Sequence, residues 1–251
     1  MKAFRMFAII FLFILVGCTY NTGDETFSQA QYKVLKTLDL EFKPLDMKVL
    51  VESKPNTDWI KGKSVYYGDL PGQKEATISF YLDTQSLDNK DVYAYLEVED
   101  KTFEIGNISC YGLDGLETLE WMDLTNDGIS EIYLSGSTGS TCLTSWVIGN
   151  MKGQWVKMLD YSNIDFHDLD ADGSIEMSTT SRGSLPGFVE VLRWNGECFE
   201  IANIADQTKN MYARLKNDEQ GRWIIEAGKV GKENKPHNYI YMDGKLAQIK
   251  F

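Results

Sequence analysis

A nine-residue acidic turn occurs twice in this chain. It reads Asp123-Leu-Thr-Asn-Asp-Gly-Ile-Ser-Glu131 and again Asp168-Leu-Asp-Ala-Asp-Gly-Ser-Ile-Glu176, with the two starts 45 residues apart. A tight turn follows each copy, Met151-Lys-Gly-Gln154 after the first and Trp194-Asn-Gly-Glu197 after the second. Asp123 precedes Gly153 by 30 residues, and Asp168 precedes Gly196 by 28. Turns of the Asn-Gly type between β-rich runs mark hairpins whose central residues need positive φ. Two landmarks kept in register over such a period imply repeated supersecondary units, each too small to bury its apolar face alone.

Reading outwards extends the pattern. Met242-Asp-Gly-Lys245 is a further hairpin turn and follows Asn217-Asp-Glu-Gln-Gly-Arg222, while Glu99-Asp-Lys-Thr102 follows Gly68-Asp-Leu-Pro-Gly-Gln-Lys-Glu75. In these outer copies most of the acidic set is gone. Four units result, near residues 65–108, 119–160, 164–204 and 211–251. Runs such as ATISFYL, DVYAYLEV and FVEVLRW fill the space between landmarks. They are short, rich in β-branched and aromatic residues, and bounded by turn formers, so each unit supplies about four strands. The expected class is all-β: a small or incomplete β-propeller-like array of about four blade units. One helix is predicted over residues 25–38, where Phe27, Ala30, Val34 and Leu38 fall at helical spacing.

The acidic turns carry calcium chemistry. Oxygen ligands at positions 1, 3 and 5 converge as the backbone curls, and glycine at position 6 permits the sharp turn. Asp168, Asp170 and Asp172 fill those positions, Ser174 offers a backbone carbonyl, and Glu176 stands at position 9. Asp123, Thr125 and Asp127 take the same places in the other copy, with Ile129 as carbonyl donor and Glu131 at position 9. Thr125 brings a neutral oxygen where Asp170 brings a charge, so that loop is expected to bind more weakly. The competing reading is an Asx-turn that needs no ion, and it is preferred for the eroded turns at Asp69 and Asn217. An EF-hand does not fit, because its twelfth ligand would be Leu134 or Thr179 instead of a bidentate Glu. The motif between strands resembles the FG-GAP and VCBS repeats of integrin-type β-propellers. That resemblance spans roughly 65–251, with its specific motifs at 119–206, and implies one calcium ion per loop, hence one or two ions. The family's Phe-Gly and Gly-Ala-Pro signatures are missing here.

The N-terminus has a different character. Lys2 and Arg5 precede an apolar run over residues 6–16, too short to span a bilayer. Leu15-Val16-Gly17-Cys18 follows and resembles the lipobox of bacterial lipoproteins. The resemblance implies a signal peptide over 1–17, a lipid on Cys18, a lipidated tether over 18–43 and a folded domain over 44–251. The chain is then expected on the extracytoplasmic side of a bacterial membrane, anchored by its lipid.

Composition narrows the function. With 37 acidic against 25 basic residues and a net charge of −12, nucleic acid is excluded as a partner. Two histidines, His167 and His237, leave little for a zinc site or a His-based triad. Cys110, Cys142 and Cys198 are expected as buried free thiols, with a Cys110–Cys142 bridge as the alternative. The tryptophans recur within the units and read as packing. The resulting expectation is a binding or envelope scaffold module for a protein or glycan partner. The alternative is a saccharide-binding module or hydrolase using a carboxylate and Trp cluster on one face.

Overall fold

Residues 32–67, 75–86, 90–173, 175–183, 186–231 and 235–250 are described in a computed structural model. Four antiparallel meanders follow one another along the chain. The first sheet contains Ile60–Tyr67, Ala76–Leu82, Val92–Val98 and Lys101–Ser109; the second contains Leu116–Met122, Glu131–Gly139, Cys142–Met151 and Gln154–Ser162. Ile164–His167, Glu176–Thr180, Val189–Trp194 and Phe199–Asn203 form the third. Tyr212–Asn217, Trp223–Gly228, His237–Met242 and Lys245–Lys250 form the fourth. The class is all-β, and the four sheets coincide with the four units read from the landmarks. Among the described residues none of the sheets closes on itself.

Side-chain alternation makes the sheets stack. Ile78, Phe80 and Leu96 of the first sheet pack on Ile132, Leu134 and Trp146 of the second. The opposite face of the second sheet presents Val147 and Leu159 to Met177, Leu192 and Phe199 of the third. Val189 and Val191 then meet Ile225, Tyr239 and Leu246 of the fourth. Because the second sheet is covered on both faces, residues 145–149 of its third strand form an unbroken buried run. Such a run is the mark of a strand with two apolar faces. Contact between the first two sheets is close: a β-carbon at Gly136 would collide with the Ile108 carbonyl oxygen.

The N-terminal segment corrects two expectations. Lys33–Asp39 is a strand, paired antiparallel with Lys245–Lys250, so the predicted helix does not form over that part; residues 25–31 lie outside the described residues. Val34 is 49% exposed and anchors no apolar helix face, whereas the free edge of Lys245–Lys250 offers backbone partners. Of the tether expected over 18–43, residues 33–39 and 43 are paired into sheets, while residues 18–31 lie outside the described residues. Lys43–Pro44 pairs with Phe199–Asn203, Lys48–Val49 with Gln154–Ser162, and Glu52 bridges to Phe103. One segment therefore visits the last strand of every sheet, from the fourth back to the first. Pro44 is tolerated because it sits in an edge pairing. The signal peptide and Cys18 lie outside the described residues, among which no helix is long and apolar enough to cross a membrane. Cys110, Cys142 and Cys198 are free thiols, half-buried instead of buried.

Candidate metal centre

Both acidic turns join the first strand of a sheet to its second, 123–131 in the second sheet and 168–176 in the third. They share a set of internal hydrogen bonds. The backbone N–H of Leu124 donates to Glu131 Oε2 at 2.8 Å, and that of Leu169 to Glu176 Oε2 at 2.7 Å. Asp123 Oδ1 accepts from Asp127 N–H and Oδ2 from Gly128 N–H; Asp168 accepts likewise from Asp172 and Gly173. Position 4 takes a left-handed conformation, φ 57° at Asn126 and 61° at Ala171, and glycine follows two residues later at φ 84° and 93°. Position 1 thus curls the loop and position 9 ties its start to the next strand. An ionised carboxylate has about four acceptor sites, so these bonds leave lone pairs for a cation.

The copies differ in what they gather at the centre. Oxygens of Asp168, Asp170 and Glu176 lie within 4.8 Å of one another, the distance at which three carboxylates share one ion. Asp172 is not in that group, and Ser174 lies outside the described residues. Burial first, and then the charges of Asp170, Asp172 and Asp168, push the Glu176 carboxyl up to about 7 against the Leu169 hydrogen bond. Burial also raises Asp170. A crowded carboxylate set of this kind is relieved by a hard cation with oxygen ligands, and calcium suits it. Asp170 Oδ2 further accepts from Asp243 N–H at 3.2 Å, which links the turn to the 242–245 hairpin of the fourth sheet.

In the 123–131 turn the Thr125 hydroxyl donates to Glu131 Oε1 at 3.2 Å, and Ile129 N–H donates to Asp127 Oδ1 at 2.8 Å. Glu131 is only 4% exposed, and burial raises its carboxyl. Lys152 lines the same cleft, of about 640 Å³, as Thr125, Asp127 and Glu131. With one carboxylate fewer and no group of three converging acidic side chains, this turn is the poorer cation site among the described residues.

The fourth sheet shows a third solution. Its turn, 217–222, also joins first and second strands, but Arg222 pairs with Asp218 at 2.9 Å and Tyr32 donates to the same carboxylate. Although burial opposes it, hydrogen bonds from Tyr32 and from the Arg222 and Gln220 backbone hold Asp218 well below the usual carboxylate range. The charge of Asp218 is thus balanced within the protein by a guanidinium. The turn at Asp69 lies outside the described residues. Sequence reasoning missed the Arg222–Asp218 pair and the bond from the Asp243 amide to Asp170. Only Arg222 left a local trace, by standing inside an eroded turn. No family model, curated protein or solved structure matches the chain.

Proposed function

We propose that the chain is a membrane-anchored extracytoplasmic lipoprotein whose four sheets are the blades of an incomplete propeller, stiffened by calcium and serving as a binding or scaffold module. The observation that carries the calcium reading is the convergence of Asp168, Asp170 and Glu176 on one point, beside a hydrogen bond to the next sheet. An ion there couples the third sheet to the fourth. The blade reading is supported by the equal meanders, their face-to-face stacking and the identical placement of the turns. A hydrolase would need a separate pair of perturbed carboxyls. Among the described residues the carboxyls raised above their ordinary range are Glu131, Asp170 and Glu176, all within the acidic turns.

Two experiments test this reading. Calorimetric titration of the full chain in detergent micelles should show Asp170→Ala weakening calcium binding by about tenfold or more, because affinity follows ligand charge. Asp127→Ala should have a smaller effect, and wild-type affinity in Asp170→Ala contradicts the site. For the anchor, Cys18→Ser should abolish incorporation of a fatty-acid analogue in cells. Equal labelling of both chains refutes lipidation at Cys18.

A further inference from the structure

One end of the fourth sheet is basic, in a chain that carries 37 acidic against 25 basic residues. Strand register gathers the lysines. Lys33 pairs with Lys250, Asn238 with Ile249, and Ala227 with His237, so four strands end side by side. Lys229 and Lys235 stand two residues from Ala227 and His237, at that same end. All four lysines are exposed and make no ion pair among the described residues. Residues 32–37, 227–231, 235–238 and 246–250 hold no Asp or Glu, and the neighbouring Glu226 is held by Lys216 at 2.7 Å. Apolar side chains also stand in water here. Val34 is 49% exposed, Leu35 50% and Val230 69%. Met211, whose N–H donates to the Gly228 carbonyl, is 55% exposed. The acidic turns lie the other way: Asp39 and Lys245 mark the opposite end of the same two strands, roughly 20 Å off. There the Asp243 N–H meets Asp170.

We infer that this end docks on the anionic headgroup surface of the membrane to which the chain is anchored. Ammonium groups meet lipid phosphates, while the exposed valines, leucine and methionine enter the headgroup boundary. The inference rests on the reading of the chain as a lipoprotein. Tyr32 lies 14 residues after Cys18, a reach of at most about 50 Å, and leads straight into Lys33 at the basic end. The lipid therefore brings this end near the surface, and the lysines decide which way the protein faces. With a net charge of −12, the rest of the chain is repelled by an anionic leaflet, so the orientation is selective. It turns the 168–176 loop away from the membrane. Each lysine beside such a leaflet contributes roughly fivefold to binding.

The test footprints the lysines of the full lipidated chain with an amine-reactive reagent, read by mass spectrometry. Vesicles are of phosphatidylcholine alone, or with about one third phosphatidylglycerol. Lys33, Lys229, Lys235 and Lys250 should label about fivefold more slowly on the anionic vesicles, and about 0.5 M salt should remove the difference. Lys245, at the opposite end, should label equally on both. Lys229→Gln, Lys235→Gln and Lys250→Gln together should return Lys33 to its neutral-vesicle rate. That variant should melt as wild type does, because the three side chains are exposed. Equal labelling of the four lysines on both vesicles, or slowing that includes Lys245 to the same degree, overturns the docking surface. Slowing in detergent micelles that grows with protein concentration assigns this end to a second copy and overturns it too. The mass of the same chain shows whether Cys18 carries lipid. A bare thiol overturns the lipoprotein reading, whatever the lysines do.

Discussion

Phe199→Ala is expected to lower the unfolding free energy by about 3–5 kcal/mol, the usual cost of emptying a buried phenylalanine site. Phe199 is completely buried, and its ring meets Trp194 edge-on at 5.1 Å. It belongs to the core shared by the second and third sheets, with Val147, Leu159 and Met177 around it. Its carbonyl also accepts from Leu45 N–H, so the N-terminal segment ties down the same strand. Two sheets pinned in this way collapse poorly onto a void, which places the cost in the upper part of the range for large-to-small changes. Domains of this kind are stable by only about 5–15 kcal/mol, so the loss is a large fraction of the total. Urea unfolding measures it. A change below about 1 kcal/mol would show that the sheets do not share this core.

Calcium should stabilise the protein at pH 8 and hardly at all at pH 5. In the metal-free chain Glu176 holds its proton up to about pH 7, well above the ordinary range of a glutamate. The folded state therefore binds more protons than the unfolded state between about pH 4.5 and 7. Stability from this group is fully present below the unfolded pKa and is lost as the pH rises through the folded one. Discounted for partial exposure, that loss is on the order of 1–2 kcal/mol. Asp170, also raised by burial, acts in the same direction. Calcium needs the ionised carboxylates, so at pH 5 it must displace a proton held about two pH units too tightly. The apparent affinity there falls roughly a hundredfold.

What the sequence made legible was local. Ligand spacing at positions 1, 3, 5 and 9 is a property of one turn, and the two turns came out with matching hydrogen bonds. The four units were also readable, the central two from their acidic turns and hairpin glycines and the outer two from weaker copies of the same landmarks. Pairing at sheet edges was not readable. Lys43–Pro44 and Lys48–Val49 bond through backbone groups over two residues each, and backbone bonding leaves no signature in side-chain order. The helical spacing of Val34 and Leu38 was overridden by the free edge beside it. Equally hidden were contacts between units. The Asp243 amide reaches Asp170 across 73 residues, and His167 meets Trp223 only because two sheets stack. Asp172, legible as a ligand by spacing, does not join the carboxylate group, since convergence depends on side-chain direction as well as position.

An ion in the 168–176 turn is tested by thermal melts at pH 8, with about 1 mM calcium, with magnesium, or with chelator. For a dissociation constant of about 0.1 mM, in the range of extracellular calcium modules, one ion contributes about 1.4 kcal/mol. In a domain of this size that is a rise of about 3–6 °C over the chelated protein. Magnesium should give little of it, because its small octahedral shell suits a wide cage of protein oxygens poorly. A rise of that size with calcium, vanishing at pH 5 and in Asp170→Ala, is the result predicted by an ion held between Asp168, Asp170 and Glu176. Identical melting temperatures in all three solutions would contradict it and leave the turns as hydrogen-bonded polar loops.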